Sequence, residues 1–302
     1  MTSSEPIRVA VTGGSGAIGR YVCAEYLRAG YVVVSLDRTP PVQDVGFVPV
    51  DLRDLEASCA ALTGFDLVVH LAAIPDPYND PPMQVITTNT AINYAVFEAV
   101  RRNGIRRVVY GCSDSSTGFG IHNTALKPLY VPIDEEHPLW PHESYSLSKH
   151  FGERMAESYA AAYGIEAISL RYNWVWVERW RAKAARLVAD NRAGILDLTT
   201  AWLGGYISVR DVARACLAAA HYRFPAEQTI PYAAFFLTAA NTSYALPTLD
   251  LLRAIYGELP PLKEPDYFAA DPYATLFDIR KAERLLGWTP QDRWQNFEAW
   301  EL

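Results

Sequence analysis

Val11-Thr-Gly-Gly-Ser-Gly-Ala-Ile-Gly-Arg20 follows the apolar run Ile7–Val11 and opens an amphipathic stretch that reaches Ala29 and stops at Gly30. The spacing predicts strand, tight turn and helix, with Gly30 as the residue just past the helix end. Glycines at 13, 16 and 19 suit a sharp bend, close backbone approach to a pyrophosphate and close packing of helix on strand. Ala17 and Ile18 complete the turn, and the helix N-terminus behind them favours an anion. A tight loop with no ligand is the plain alternative. The position between a strand and a helix favours a bound dinucleotide.

Working outward, β-branched and apolar runs recur at Tyr31–Leu36, Phe47–Val50, Leu67–His70, Arg107–Tyr110, Ile165–Leu170 and Ala233–Thr238. Helical patterns lie between most of them, at Leu55–Leu62 with Asp54 as N-cap, Met83–Asn103, Ser144–Tyr163 and Val209–Tyr222. Parallel strands need crossover connections, so this alternation predicts an α/β fold, a Rossmann-type doubly wound parallel sheet covered on both faces. Beyond Arg171 the pattern loosens. The expected division is a cofactor domain over 1–171 and 206–238, with a small discontinuous substrate domain over 172–205 and 239–302.

Half of the 302 residues are apolar and a fifth are charged, which suits a chain with a core of its own. The net charge of −7 is spread along the sequence without a basic run, so nucleic acid is not an expected partner. No stretch approaches a membrane span and residues 1–6 hold no apolar leader, so a soluble protein is expected. Cys23, Cys59, Cys112 and Cys216 show no paired spacing, which fits a reducing cytoplasm, and no metal site is suggested by the six histidines.

Asp37 ends the second predicted strand, 18 residues after Gly19. A carboxylate there can accept hydrogen bonds from the adenosine ribose and repel a 2′-phosphate, so NAD is expected rather than NADP. Arg38 beside it either pairs with a 2′-phosphate or is a solvated turn residue. Tyr145 and Lys149 lie one helical turn apart on one face. A free phenol has a pKa of ~10, and a neighbouring ammonium makes it a better base at neutral pH.

Further motifs are Asp51-Leu52, His70-Leu-Ala-Ala73, Asn89, Gly111-Cys-Ser-Asp-Ser-Ser-Thr-Gly118, Arg171-Tyr-Asn173 and Asp278-Ile-Arg-Lys-Ala-Glu-Arg-Leu-Leu-Gly-Trp-Thr-Pro290. With these, the chain resembles the extended short-chain dehydrogenases/reductases, which include nucleotide-sugar epimerases, dehydratases and sugar dehydrogenases. The resemblance implies that Asp51 and Leu52 lie against the adenine and that Leu71, Ala72 and Ala73 pass the cofactor phosphates and ribose. It implies that Tyr145 removes a hydroxyl proton and that Lys149 also holds the nicotinamide ribose. Asn89 then supports the lysine or fixes its helix, and His70 is expected as a packed strand-end residue. The family's substrate-binding serine falls at the end of the fifth strand. Counting back from Gly118 favours Ser113, with Ser115 as the alternative and a candidate substrate contact.

The family pattern R-x-x-N-x-Y-G-P is replaced by Arg171-Tyr-Asn-Trp-Val-Trp-Val-Glu178. That departure points away from a nucleotide sugar and towards a small sugar or sugar acid, and residues 111–119 are locally similar to uronate dehydrogenases. Asn173, Trp174, Trp176 and Trp202 are candidate sugar contacts, and Arg179 or Arg181 could hold a carboxylate. The tryptophans could equally be core and the arginines solvated. The leading expectation is an NAD-dependent sugar oxidoreductase. An epimerase with tightly bound cofactor is the first alternative, a dehydratase is less favoured because Ser115 follows Asp114, and a non-catalytic sensor is the remote one. The resemblance also implies a homodimer.

Overall fold

Arg8–Thr12 forms β1, whose last four residues are buried, and the glycine turn carries the chain into α1 (Gly19–Arg28). This computed structural model describes residues 6–119, 126–198 and 202–300, with the side chain of Trp202 outside that description. The chain continues through β2 (Val32–Asp37), β3 (Gly46–Pro49), α2 (Leu55–Ala61), β4 (Leu67–His70), α3 (Pro82–Arg102), β5 (Arg107–Ser113), α4 (Ser144–Tyr163) and β6 (Glu166–Tyr172). After it come β7 (Trp174–Trp176), α5 (Arg181–Arg192), β8 (Tyr206–Ser208), α6 (Val209–His221), β9 (Tyr232–Leu237), α7 (Thr248–Tyr256), α8 (Pro265–Ala270) and α9 (Arg280–Leu286).

The main sheet has the strand order β3-β2-β1-β4-β5-β6-β9. The pairs β1 with β2, β1 with β4, β2 with β3 and β4 with β5 are all parallel. Order reverses between β1 and β4, and in open parallel sheets ligands bind outside the carboxyl ends of strands at such a switch point. The expected doubly wound fold is therefore present. Strand ends differ from the sequence reading by one or two residues. The larger difference is β5, which runs on to Ser113.

Contacts divide the chain into two compact units, one of Met1–Cys112, His142–Leu170 and Ala213–Ala234, the other of Ser113–Pro141, Arg171–Val212 and Phe235–Leu302. In the first, Val96, Phe97 and Val100 of α3 and Ala156 and Ala160 of α4 pack with Ala10, Val68, Val108 and Tyr110 of the sheet. Tyr26 of α1 reaches α6 through a hydrogen bond to the Cys216 carbonyl. Asp54 accepts the Ala57 N–H as the N-cap expected from sequence, and at α4 Glu143 accepts the N–H groups of Tyr145 and Ser146 while its own N–H donates to the Ser146 hydroxyl. This second cap fixes the start of α4 one residue ahead of Tyr145.

In the second unit, Trp176, Tyr206, Trp294, Phe297 and Trp300 form one cluster, and Ile133, Phe236, Leu252, Phe268 and Phe277 belong to another. The buried Asp211 carboxylate accepts the N–H groups of Gln291 and Asp292, and its carbonyl accepts the Trp288 indole N–H. These bonds tie the segment after α9 to the start of α6. Among the described residues no helix is long and apolar enough to cross a membrane.

Candidate active site

The turn after β1 is closed by bonds from Gly16 N–H to the Gly13 carbonyl and from Gly13 N–H to the Leu36 carbonyl. A Cβ on Gly13 would meet the backbone of Ala72 at 2.9 Å, and one on Gly19 would meet the Gly13 carbonyl oxygen at 2.1 Å. Gly13 also has a φ of +67°. Bare backbone is thus required where the turn, α1 and the Leu71–Ala73 segment converge. Ile18 precedes α1 without a side-chain cap, and no acidic residue occupies the first turn, so its N–H groups remain suited to an anion. Gly16 and Ala17 are exposed. These features fit a dinucleotide pyrophosphate.

Asp37 lies at the carboxyl end of β2, where one oxygen accepts the Ser15 N–H at 3.2 Å and the other accepts the Arg38 N–H at 2.7 Å. The carboxylate is thereby fixed beside the turn, while Arg38 is exposed. Asp51 behaves differently, because Arg53 grips its carboxylate through backbone and guanidinium and holds its pKa down at about 2. Leu52 beside it is buried.

Leu71 and Ala72 donate their N–H groups to the Thr12 hydroxyl. His70 is a fully packed strand-end residue: burial first, then the charge of Lys149, push its pKa down to about 3. Asn89 accepts the Ile74 N–H at 2.7 Å and donates to the Ser148 hydroxyl at 3.0 Å, tying the loop after β4 to the residue before Lys149. Asn93, one turn further along α3, donates to the Ser148 carbonyl at 3.2 Å.

Lys149 is 5% exposed and donates to the Gly111 carbonyl of β5 at 2.8 Å. Its ammonium lies 5.8 Å from the centre of the Tyr145 ring and 5.5 Å from that of Tyr110. Burial pushes its pKa down to about 8, so it is charged at neutral pH. Gly152 lets α4 approach this closely, because a Cβ there would stand 2.1 Å from the Tyr110 hydroxyl oxygen. Cys112 donates its thiol to the buried Glu153 carboxylate at 3.2 Å. Glu153 and Asn93 were not singled out from sequence, although each lies four residues after a residue that was, and so on the same helix face.

In the second unit, Ser113 is a turn cap: its hydroxyl oxygen accepts the Ser115 N–H at 3.1 Å, and the hydroxyl points its proton to Asp114 at 3.3 Å. The Ser115 hydroxyl is buried without a partner. Asn173, just past β6, donates its amide N–H to the Asp114 carboxylate at 2.5 Å. Desolvation raises the Asp114 pKa to about 7 against these bonds. Trp176 is core, 4.7 Å centre to centre from Tyr206, so it offers no face to a sugar. Trp174 is half-buried with Trp180 and Lys183 around it. Arg179 lies over Trp180, and Arg181 pairs with Glu178 at 3.2 Å. Among the described residues no group of three or more His, Cys, Asp or Glu side chains could hold a metal ion.

The NAD dependent epimerase/dehydratase family matches residues 9–230. A UDP-glucose 4-epimerase of Corynebacterium glutamicum is 25% identical across 94% of this chain and 91% of its own length. A uronate dehydrogenase of Pseudomonas syringae pv. tomato is 32% identical across 54% of this chain and 58% of its own. The fold matches that of a UDP-glucose 4-epimerase of Thermotoga maritima with a TM-score of 0.70 at 22% identity, over 97% of this chain and 96% of that one. The chain belongs to the NAD dependent epimerase/dehydratase family of the extended short-chain dehydrogenases/reductases.

Proposed function

We propose that this chain is an NAD-dependent oxidoreductase that oxidises a carbinol of a sugar or sugar acid. The observation that carries the reading is the buried Lys149 ammonium, held by the Gly111 carbonyl and facing the Tyr145 ring. That charge favours the phenolate of Tyr145, which takes the proton from the substrate hydroxyl at its phenolic oxygen. NAD, when bound, would supply the acceptor for the hydride of the same carbon. Ser113 is proposed as the partner of the reacting hydroxyl, with Ser115, whose buried hydroxyl has no partner in the protein, as the alternative.

Gly13, Gly16, Ala17, Ile18 and Gly19 would hold the pyrophosphate, and Asp37 the adenosine ribose. Asp51, Leu52, Leu71, Ala72 and Ala73 would line the remainder, with Asn89 and Asn93 positioning the Lys149 helix. Asn173 and Trp174 are proposed substrate contacts. Arg179 and Arg181 would qualify as carboxylate holders only by leaving Trp180 and Glu178. We also infer a homodimer formed through α3 and α4, where Tyr94, Phe151 and Tyr163 are exposed, and a cytoplasmic location consistent with four free cysteines.

A second reading, epimerisation of a nucleotide sugar, is favoured by the likeness to the Corynebacterium epimerase over nearly the whole chain. The two separate on stoichiometry. Free aldoses, uronic acids and nucleotide sugars should be assayed with NAD and with NADP for reduced nicotinamide. One reduced cofactor per substrate consumed supports oxidation, while interconversion of sugars without net reduction overturns it.

A further inference from the structure

Among the described residues of the second unit, three buried side-chain oxygens have no partner, those of Ser115, Asn173 and Ser243, and the first two, in residues only 3% and 2% exposed, stand at the ends of adjacent strands. Native structures complete such atoms with a ligand or an ordered water. Both belong to residues at the carboxyl ends of the neighbouring strands β5 and β6, the edge of an open parallel sheet where ligands bind. They also flank one carboxyl group. Asp114 follows Ser113, precedes Ser115 and takes the Asn173 amide N–H at 2.5 Å.

The Asn173 NH2 is held by Asp114, which accepts its N–H, and this turns the amide oxygen the other way. Gly205 closes the same end: a Cβ there would stand 2.4 Å from the amide nitrogen. The free end of Asn173 is therefore an acceptor.

We propose that Asn173, oriented by Asp114, is a specificity-determining residue whose amide oxygen, together with the Ser115 hydroxyl, reads the hydroxyl groups of a sugar carrying no nucleotide. A sugar hydroxyl has a proton to give to that oxygen. A diphosphate ester has none at neutral pH, so it would set acceptor against acceptor at the amide oxygen. This inference rests on the sugar-oxidising reading above and narrows its substrate to the free form.

The test uses matched pairs, D-glucose against UDP-glucose and D-glucuronate against UDP-glucuronate, on the full chain. Binding is measured by calorimetry with NADH present, and turnover with NAD. Wild type should prefer the free member of a pair by about tenfold or more. Asp114→Asn, which can offer either a donor or an acceptor to the Asn173 amide, should shrink that preference about tenfold, mainly through KM for the free sugar and less through kcat. Asn173→Ser, a smaller change, should do the same if Asp114→Asn does not fold. Tighter binding of the UDP member by wild type, or an unchanged preference in the folded variants, overturns the proposal, the second outcome assigning both oxygens to an internal water. Preference for the free sugar without any NADH formed would sink the oxidation reading and leave the hydroxyl-reading pair standing.

Discussion

The Nδ1 atom of His70 lies 2.7 Å from the Thr12 hydroxyl oxygen. That oxygen already accepts the N–H groups of Leu71 and Ala72, so its own proton goes to Nδ1. Nε2 then carries the ring proton and donates it to the Asn93 side-chain oxygen at 3.1 Å, while the Asn93 NH2 reaches the Ser148 carbonyl. A continuous chain of buried bonds thus links the end of β1 to the residue before Lys149. It needs a neutral imidazole.

The pH dependence follows with a definite sign. Burial pushes the folded His70 pKa down to about 3 from the ordinary 6.5, so between these the unfolded chain holds a proton the folded chain refuses. Stability should fall as pH drops below ~6.5, by up to about 1.4 kcal/mol per unit from this group. His70→Phe is expected to cost ~2 kcal/mol at pH 7, because Thr12 and Asn93 lose a partner, yet to show a shallower acid slope. Urea unfolding at pH 7 and pH 4.5 measures both, and parallel profiles for variant and wild type would remove His70 as the source.

Lys149 should trade stability against turnover. Burial holds its folded pKa at about 8, below the ordinary lysine value of 10.5, so the unfolded chain binds more protons between the two and stability rises with pH across that window. The burial penalty is fully present below pH 8. Lys149→Met is therefore expected to stabilise the cofactor-free protein at pH 7 by about 3 kcal/mol, a gain that shrinks towards pH 10. Turnover should fall by about 10²–10⁴, as it should for Tyr145→Phe with NAD binding retained. A less stable Lys149→Met at pH 7, or substantial activity in Tyr145→Phe, contradicts these roles.

Gly19→Ala forces a methyl group to within 2.1 Å of the Gly13 carbonyl oxygen unless the turn moves. The variant should bind NAD at least about tenfold more weakly and lose roughly 1–3 kcal/mol of stability. Titration of nicotinamide fluorescence gives the affinity. Unaltered binding would mean that the pyrophosphate does not depend on this turn.

Asp37→Ala should narrow the preference for NAD over NADP, because it removes a fixed carboxylate that repels a 2′-phosphate. Arg38 next to it then becomes the nearest charge in sequence. The ratio of kcat/KM for the two cofactors reports the change, and a constant ratio would free Asp37 from that role.

The sheet and the glycine turn could be read from sequence because each strand is a short, nearly continuous apolar run with its own punctuation. Helix α5 was missed, although Ala184, Leu187, Val188 and Asn191 are its buried residues at helical spacing. Two of those four are alanine and asparagine, which leave little contrast with the charged face. Ser113 and Ser115 could not be separated by counting, since both are buried hydroxyls on one turn; the Ser113 oxygen accepts the Ser115 N–H, while the Ser115 hydroxyl has no partner in the protein. Trp176 reads as a sugar platform in sequence only because indole suits a protein core equally well. Its burial depends on Phe297 and Trp300, more than a hundred residues away.

A single hydrogen atom at position 152 sets how deeply the amine of residue 149 sinks against the sheet. Any larger side chain there would have to push against the phenol of residue 110 and lever the whole helical turn outward, into water. A Tyr-x-x-x-Lys spelling elsewhere therefore says little about acidity until the residue three places after the lysine has been inspected.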